Sequence, residues 1–183
     1  SFILAGGKSS RMGRDKAFLE FDGKTLLENA IEILQHIESR KISVVIAEDN
    51  EKFANFPTVT DIYKNRGVLS GIHAAVYNCQ EKFAVILASD FPFVSEDLLK
   101  FLVEIAENEN ADCIAPIQKD GIIQPLCAVY QTRICLQILI EILENYEQTS
   151  SAQDFLKRMN TNFIEFEKFK HLPNAENFFL NIN

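Results

Sequence analysis

The chain has 183 residues, 47% of them hydrophobic and 24% charged, a balance that excludes a disordered or low-complexity protein. Its net charge of −8 argues against nucleic acid as a partner, because proteins that bind long polyanions present a basic face. No apolar run reaches the roughly 20 residues of a membrane span, and no basic start leads into an apolar signal segment, so a cytoplasmic protein with no membrane association is expected.

The length fits one domain over 1–183, and both ends read as truncated, since Ser1 lies at the start of a strand. Cys79, Cys113, Cys127 and Cys135 form no C-x-x-C pair and match no zinc spacing, so they read as reduced core thiols.

Strands and helices alternate along the chain. Phe2–Ala5 is a short apolar run, read as a buried first strand. Thr25 with Glu28 forms a capping box, and Leu27, Ala30, Ile31, Leu34 and Ile37 follow at helical spacing, which predicts a helix over 25–38. Ile42–Ala47 is a second strand, and Thr58–Thr60 a weaker third. A helix is expected over Ser70–Asn78, a strong strand over Phe83–Ala88, and a helix capped by Ser95. Strands follow at Asp112–Pro116 and Ile122–Tyr130, then a helix over Ile134–Tyr146. Ser151 with Asp154 caps another helix, and Phe163–Phe166 alternates like an edge strand. The pattern predicts a Rossmann-like α/β sandwich of three layers, with helices on both faces of a mostly parallel sheet. Ligands of such sheets bind beyond the carboxyl ends of the strands, so motifs directly after strands carry the functional argument.

The first such motif is Leu4-Ala5-Gly6-Gly7-Lys8-Ser9-Ser10-Arg11-Met12-Gly13-Arg14-Asp15-Lys16. Its glycines allow a sharp turn with N–H groups turned to an anion, and Lys8, Arg11, Arg14 and Lys16 add cations to an acidic chain. It is neither a Walker A loop nor G-x-G-x-x-G. Glycines and charge alone fit a tight basic surface turn equally well. The second motif is Leu87-Ala88-Ser89-Asp90-Phe91-Pro92, which places an Asp just past a buried strand. One carboxylate there suffices to anchor Mg²⁺, which fills its other positions with phosphate and water, although closing the turn with Pro92 is the plainer local job for Asp90. Gly67-Val68-Leu69-Ser70-Gly71 and Gln124-Pro125-Leu126-Cys127-Ala128-Val129-Tyr130 complete the set; alone, the first reads as a helix start and the second as a strand broken by Pro125.

In this order the motifs resemble those of the nucleotidyltransferases with a GT-A-type fold. The Ala-Gly-Gly spelling is most similar to the molybdenum cofactor guanylyltransferases; relatives that use CTP tend to carry Ala-Ala-Gly. The resemblance implies transfer of GMP from GTP to the terminal phosphate of molybdopterin or Mo-molybdopterin, with release of pyrophosphate. It implies nucleotide contacts from Leu4, Ala5, Gly6, Gly7, Lys16, Asp61, Gly71 and Asp90, catalytic roles for Arg11, Lys16 and Asp90, and Mg²⁺ held by Asp90. It further implies pterin contacts from Gln124, Pro125, Asn181 and Asn183, and other cofactor-biosynthesis and insertion proteins as partners. The family's Asn at the end of the second strand is absent here: Ile46-Ala47-Glu48 occupies that stretch, with Asn50 a few residues on. A cytidylyltransferase acting on molybdopterin, a sugar- or alditol-phosphate nucleotidyltransferase, and a non-catalytic nucleotide-binding adaptor are the alternatives. The three histidines, His36, His73 and His171, are scattered and point to neither a metal site nor a general base.

Overall fold

The computed structural model describes residues 1–5, 16–37, 41–145 and 151–181. In chain order the strands are β1 (Phe2–Leu4), β2 (Glu20–Phe21), β3 (Lys24–Thr25), β4 (Ser43–Ile46), β5 (Thr58–Thr60), β6 (Phe83–Ala88), β7 (Cys113–Pro116), β8 (Cys127–Gln131) and β9 (Thr161–Ile164). The α-helices are α1 (Leu26–Gln35), α2 (Val68–Asn78), α3 (Glu96–Asn108), α4 (Thr132–Glu144), α5 (Ala152–Lys157) and α6 (Phe166–Phe169).

The main sheet has the order β5-β4-β1-β6-β8-β7-β9. All its neighbours run parallel except β8, which is antiparallel to both β6 and β7. The connection from β1 to β4 steps one way across the sheet, and that from β5 to β6 steps back past β1. Right-handed crossovers then require α1 and α2 on opposite faces. The core obeys this: Leu27, Ala30 and Leu34 of α1 pack with Ile3, Val44 and Leu87. Leu69 and Ile72 of α2 pack on the other face with Phe2, Leu4, Val45 and Ile86. The alternation of Phe2, Ile3 and Leu4 between the two cores is the strand's period of two. Helix α3 joins the α1 face, and α4 and α5 join the α2 face.

Local chemistry sets the element ends. Thr25 Oγ1 accepts from Glu28 N at 3.2 Å while Glu28 Oε2 accepts from Thr25 N at 2.8 Å, so α1 starts at Leu26; it ends at Gln35, short of the predicted 38. Asp22 (φ 52°) and Gly23 (φ 79°) form the turn of the β2–β3 hairpin, with both central residues at the positive φ of a type I′ turn. Helix α2 begins two residues before the predicted Ser70, because Gly67 at φ 66° turns the chain into it. The predicted strand Ile122–Tyr130 is divided. Ile123 makes only an isolated bridge to Ile117, a turn follows, and pairing resumes at Cys127. Pro125 brings no N–H to a ladder, and Cys127 N donates to Gln124 O across the turn at 3.2 Å. Helix α4 starts at Thr132, where the Gln131 side chain accepts from Ile134 N at 2.7 Å. The edge strand predicted at Phe163–Phe166 lies at Thr161–Ile164, and Phe166 opens α6 instead.

The Tyr130 hydroxyl, fully buried beneath α5, donates to Pro125 O at 2.6 Å and ties the turn to its own strand. Tyr130→Phe is expected to cost about 1–2 kcal/mol, the worth of a buried hydrogen bond, read as a lower urea midpoint at unchanged m-value.

Candidate nucleotide site

Every parallel strand of the sheet delivers its carboxyl end to one edge. There Leu4 and Ala5 leave β1, Ile46 leaves β4, Asp61 follows β5, and Ser89 and Asp90 follow β6. Hydrogen bonds lace these ends together: Ala5 N donates to Val45 O at 3.1 Å, Asp61 N to Ile46 O at 3.1 Å, and Ser89 N to Leu4 O at 3.1 Å. The strand order reverses direction at β1, and a crevice at such a reversal is where open α/β sheets bind ligands.

One end of this edge is a narrow cleft lined by Leu4, Ile46, Ala47, Asp61, Gly67 and Gly71, among others. Asp61 Oδ1 is buried there with no hydrogen-bond partner, and burial pushes the carboxyl up to about 6. An acceptor left dry and unpaired costs stability, and a donor brought by a ligand removes that cost. Gly71 closes the floor: a Cβ at this position would stand 3.1 Å from Leu4 Cδ2, inside comfortable contact. Asn50 does not replace the Asn absent from the end of β4. Its side chain accepts from Lys52 N at 3.1 Å, and it lines a separate open cavity of about 340 Å³. Asp49 and Glu51 share that cavity, a wall that repels phosphate.

The other end lies across β1. Lys16, half-buried at the start of a 3-10 turn (Lys16–Phe18), lends its positive charge to Asp90. Burial pushes the Asp90 carboxyl up, and its own backbone N–H and Lys16 pull it down. Asn29 Nδ2 on α1 donates to Pro92 O at 3.0 Å and steadies the turn beyond Asp90. Asp61 and Asp90 stand three strand spacings apart, ~14 Å along the sheet, so they cannot share one cation. Among the described residues no group of three or more His, Cys, Asp and Glu side chains gathers to hold a metal. His73 is buried between Tyr63 and Tyr77 with Nδ1 unpaired, and His36 pairs with Glu96 at 2.7 Å, so neither reaches the edge as a base.

The third part of the edge comes from the second half of the chain. Ala88 N donates to Leu126 O at 2.7 Å, which sets Gln124 and Pro125 beside the Asp90 turn. The Gln124 amide donates to Gln118 Oε1 at 3.0 Å. Phe179 meets Phe91 edge-on with ring centroids 5.7 Å apart, so the segment leading to exposed Asn181 docks against the same turn. Gly6, Gly7, Arg11 and Asn183 lie outside the described residues. The structure therefore brings Leu4, Ala5, Asp61 and Gly71 to one end, and Lys16, Asp90, Gln124, Pro125 and Asn181 toward the other. Sequence reasoning missed Arg66, which fastens the Asp61 loop, and Asn29; neither belongs to a recognisable motif.

This edge has the layout of a nucleotidyltransferase. Residues 1–162 match the family of MobA-like NTP transferase domains. The chain belongs to that family. It is 33% identical to a protein of Clostridium perfringens named "Probable molybdenum cofactor guanylyltransferase", covering 99% of this chain and 89% of the other. A protein of the same name from Pelotomaculum thermopropionicum is 30% identical, with 99% and 85% covered. The crystal structure of molybdopterin-guanine dinucleotide biosynthesis protein A from Archaeoglobus fulgidus superimposes with a TM-score of 0.79 at 25% identity, covering 100% of this chain and 91% of that one. No helix among the described residues is long and apolar enough to cross a membrane.

The Asp61 geometry predicts a pH-dependent stability effect. The folded carboxyl titrates near 6 against an ordinary 3.8, so the folded state binds the proton more tightly than the unfolded state. Ionisation costs the fold stability as pH rises from about 4 to 6, and the cost is complete above that range. Asp61→Asn is expected to raise the Tm of ligand-free protein at pH 7.5, with the gain shrinking toward pH 4, while weakening nucleotide binding.

Proposed function

We propose that this protein is a molybdenum cofactor guanylyltransferase. It transfers GMP from GTP to the terminal phosphate of molybdopterin, or of its molybdenum-loaded form, and releases pyrophosphate. The names of its relatives support this reading. The observation that carries it is the polarity of the edge: an unpaired buried acceptor on Asp61 at one end, and the desolvated Asp90 carboxyl within the field of Lys16, across β1, at the other. A nucleoside triphosphate has the matching polarity, with donors on its base and sugar and anionic oxygens on its tail.

Asp61 accepts from the nucleoside. A carboxylate suits guanine, whose N1–H and N2 amine are adjacent donors, better than cytosine, which sets an acceptor beside its single amine. Leu4, Ala5 and Gly71 form the apolar floor beneath the nucleoside, and Gly6, Gly7 and Arg11 would bind its phosphates. Asp90 fits a divalent cation: it is a desolvated carboxylate at the phosphate end, and a hard cation needs few protein oxygens when phosphates and water supply the rest. Mg²⁺ bound there would neutralise charge on the phosphate oxygens. Gln124, Pro125, Asn181 and Asn183 would contact the acceptor.

In the reaction a terminal phosphate oxygen of molybdopterin attacks the α-phosphorus of GTP. The new P–O bond forms as the α–β bridging bond breaks, and pyrophosphate leaves with the electron pair. The acceptor oxygen is already anionic near neutral pH, so no side chain has to remove a proton. The chain's work is alignment and charge neutralisation. Lys16 and Arg11 hold the leaving pyrophosphate, and the Asp90 turn sets acceptor and α-phosphate in line.

A thermal-shift panel with GTP, CTP, ATP and UTP in Mg²⁺ tests the nucleotide. Ligand at a hundredfold its Kd adds about 2.7 kcal/mol, and a shift of several degrees with GTP alone is expected; a CTP-selective shift would redirect the reading to cytidylyl transfer. Asp90→Asn is expected to abolish turnover with the Tm retained, and near-normal turnover in Mg²⁺ would remove Asp90 from the mechanism. Lys16→Ala is expected to lower both triphosphate affinity and kcat.

A further inference from the structure

The segment from Asp61 to Gly67 joins β5 to α2 and carries two lining residues of the nucleoside cleft. It is fastened from outside that cleft. Arg66 Nη2 donates to Ile142 O at 2.9 Å and to Asn145 O at 2.7 Å, carbonyls at the carboxyl end of α4. Such carbonyls have no partner within their own helix and carry its negative pole, so a guanidinium there satisfies both hydrogen bonding and charge. The backbone on each side of Arg66 is in the left-handed region, at Asn65 (φ 62°) and Gly67 (φ 66°). These two reversals turn Arg66 out toward α4 while Gly67 faces the cleft. A second tie lies deeper: Ser70 Oγ, on the first turn of α2, donates to Tyr63 O. The Tyr63 ring packs edge-on against buried His73 at 4.8 Å.

We propose that Arg66 is a positioning residue for the nucleoside half of the site, holding Asp61 and Gly67 at the reach that the base and sugar require by anchoring their loop to α4. Arg66 does not line the cleft, so its effect passes through the loop. The proposal rests on the reading of the cleft as the nucleoside site. The loop leaves β5, whereas Asp90 follows β6, three strands along the sheet, so the two halves of the nucleotide should respond differently when the anchor is cut.

The test measures GTP binding and pyrophosphate inhibition on the same variants. Arg66→Met keeps the apolar stem and removes the donors. It is expected to raise the Kd and KM for GTP about tenfold, as for loss of charge-assisted hydrogen bonds, with kcat and the pyrophosphate inhibition constant unchanged. Arg66→Lys, which retains a cation able to reach one carbonyl, is expected to recover part of the loss. Ser70→Ala, which cuts the inner tie, is expected to shift GTP affinity in the same direction by a smaller factor, and it carries the test if Arg66→Met does not fold. Equal weakening of GTP and pyrophosphate would show a general structural role and overturn the proposal, as would unchanged GTP affinity. Wild-type protein that binds pyrophosphate but not GTP would overturn the nucleoside reading itself, and the proposal with it.

Discussion

The structure turns on three buried residues. Phe2, Ile3 and Leu4 form a strand paired on both sides, with Ile3 facing one core and its neighbours the other. Because the sheet grows from β1 first toward β4 and β5 and then back toward β6, both faces need a helix, and the crevice opens where the two directions part. The glycine-rich motif follows this strand in the sequence, so the segment proposed to hold the phosphates starts from the most constrained place in the fold. A polar residue in β1 would weaken the core that it faces and the entry to the site together.

The functional edge is built from groups that the free protein holds at a cost. Asp61 keeps a dry, unpaired oxygen, and Asp90 is desolvated with Lys16 for company. Neither arrangement helps the fold; each has the form of a ligand contact waiting for its other half. The same logic explains why the larger cavity beside β4 is the less suitable nucleotide site. It is roomy, but its acidic wall opposes the charge of the ligand.

How far the sequence foretold this depended on the range of the interaction. The capping boxes at Thr25–Glu28 and Ser151–Asp154 are local, and both form as expected. The buried strands β1, β4 and β6 were legible as short apolar runs, and Asp90 as the polar residue ending the last of them. The predicted strand through Pro125 was too long because alternation continues in the side chains where the backbone has no donor to offer. The start of α2 was misplaced because nothing in Gly67 itself announces a positive φ. Arg66 was invisible: its carbonyl partners lie 76 and 79 residues away, and any arginine in a polar loop looks the same until the fold closes. Asp61 read as an ordinary strand-end carboxylate except through resemblance, since its burial comes from α2 and β4.

The antiparallel course of β8 has a consequence for how such a protein can change. A strand running against its neighbours presents its beginning, not its end, at the edge where theirs finish. The connection from Pro116 to Cys127 therefore leaves β7 and enters β8 at the same rim, and the chain after Ile164 of β9 emerges there too. Both stretches can lengthen, shorten or change composition without disturbing the register of β1, β4, β5 and β6. Under the proposed assignment of this rim to the acceptor, acceptor preference is in this sense modular. On that assignment a lineage of such enzymes can take a new acceptor by redrafting two surface connections while the half proposed to hold the nucleotide stays as it was.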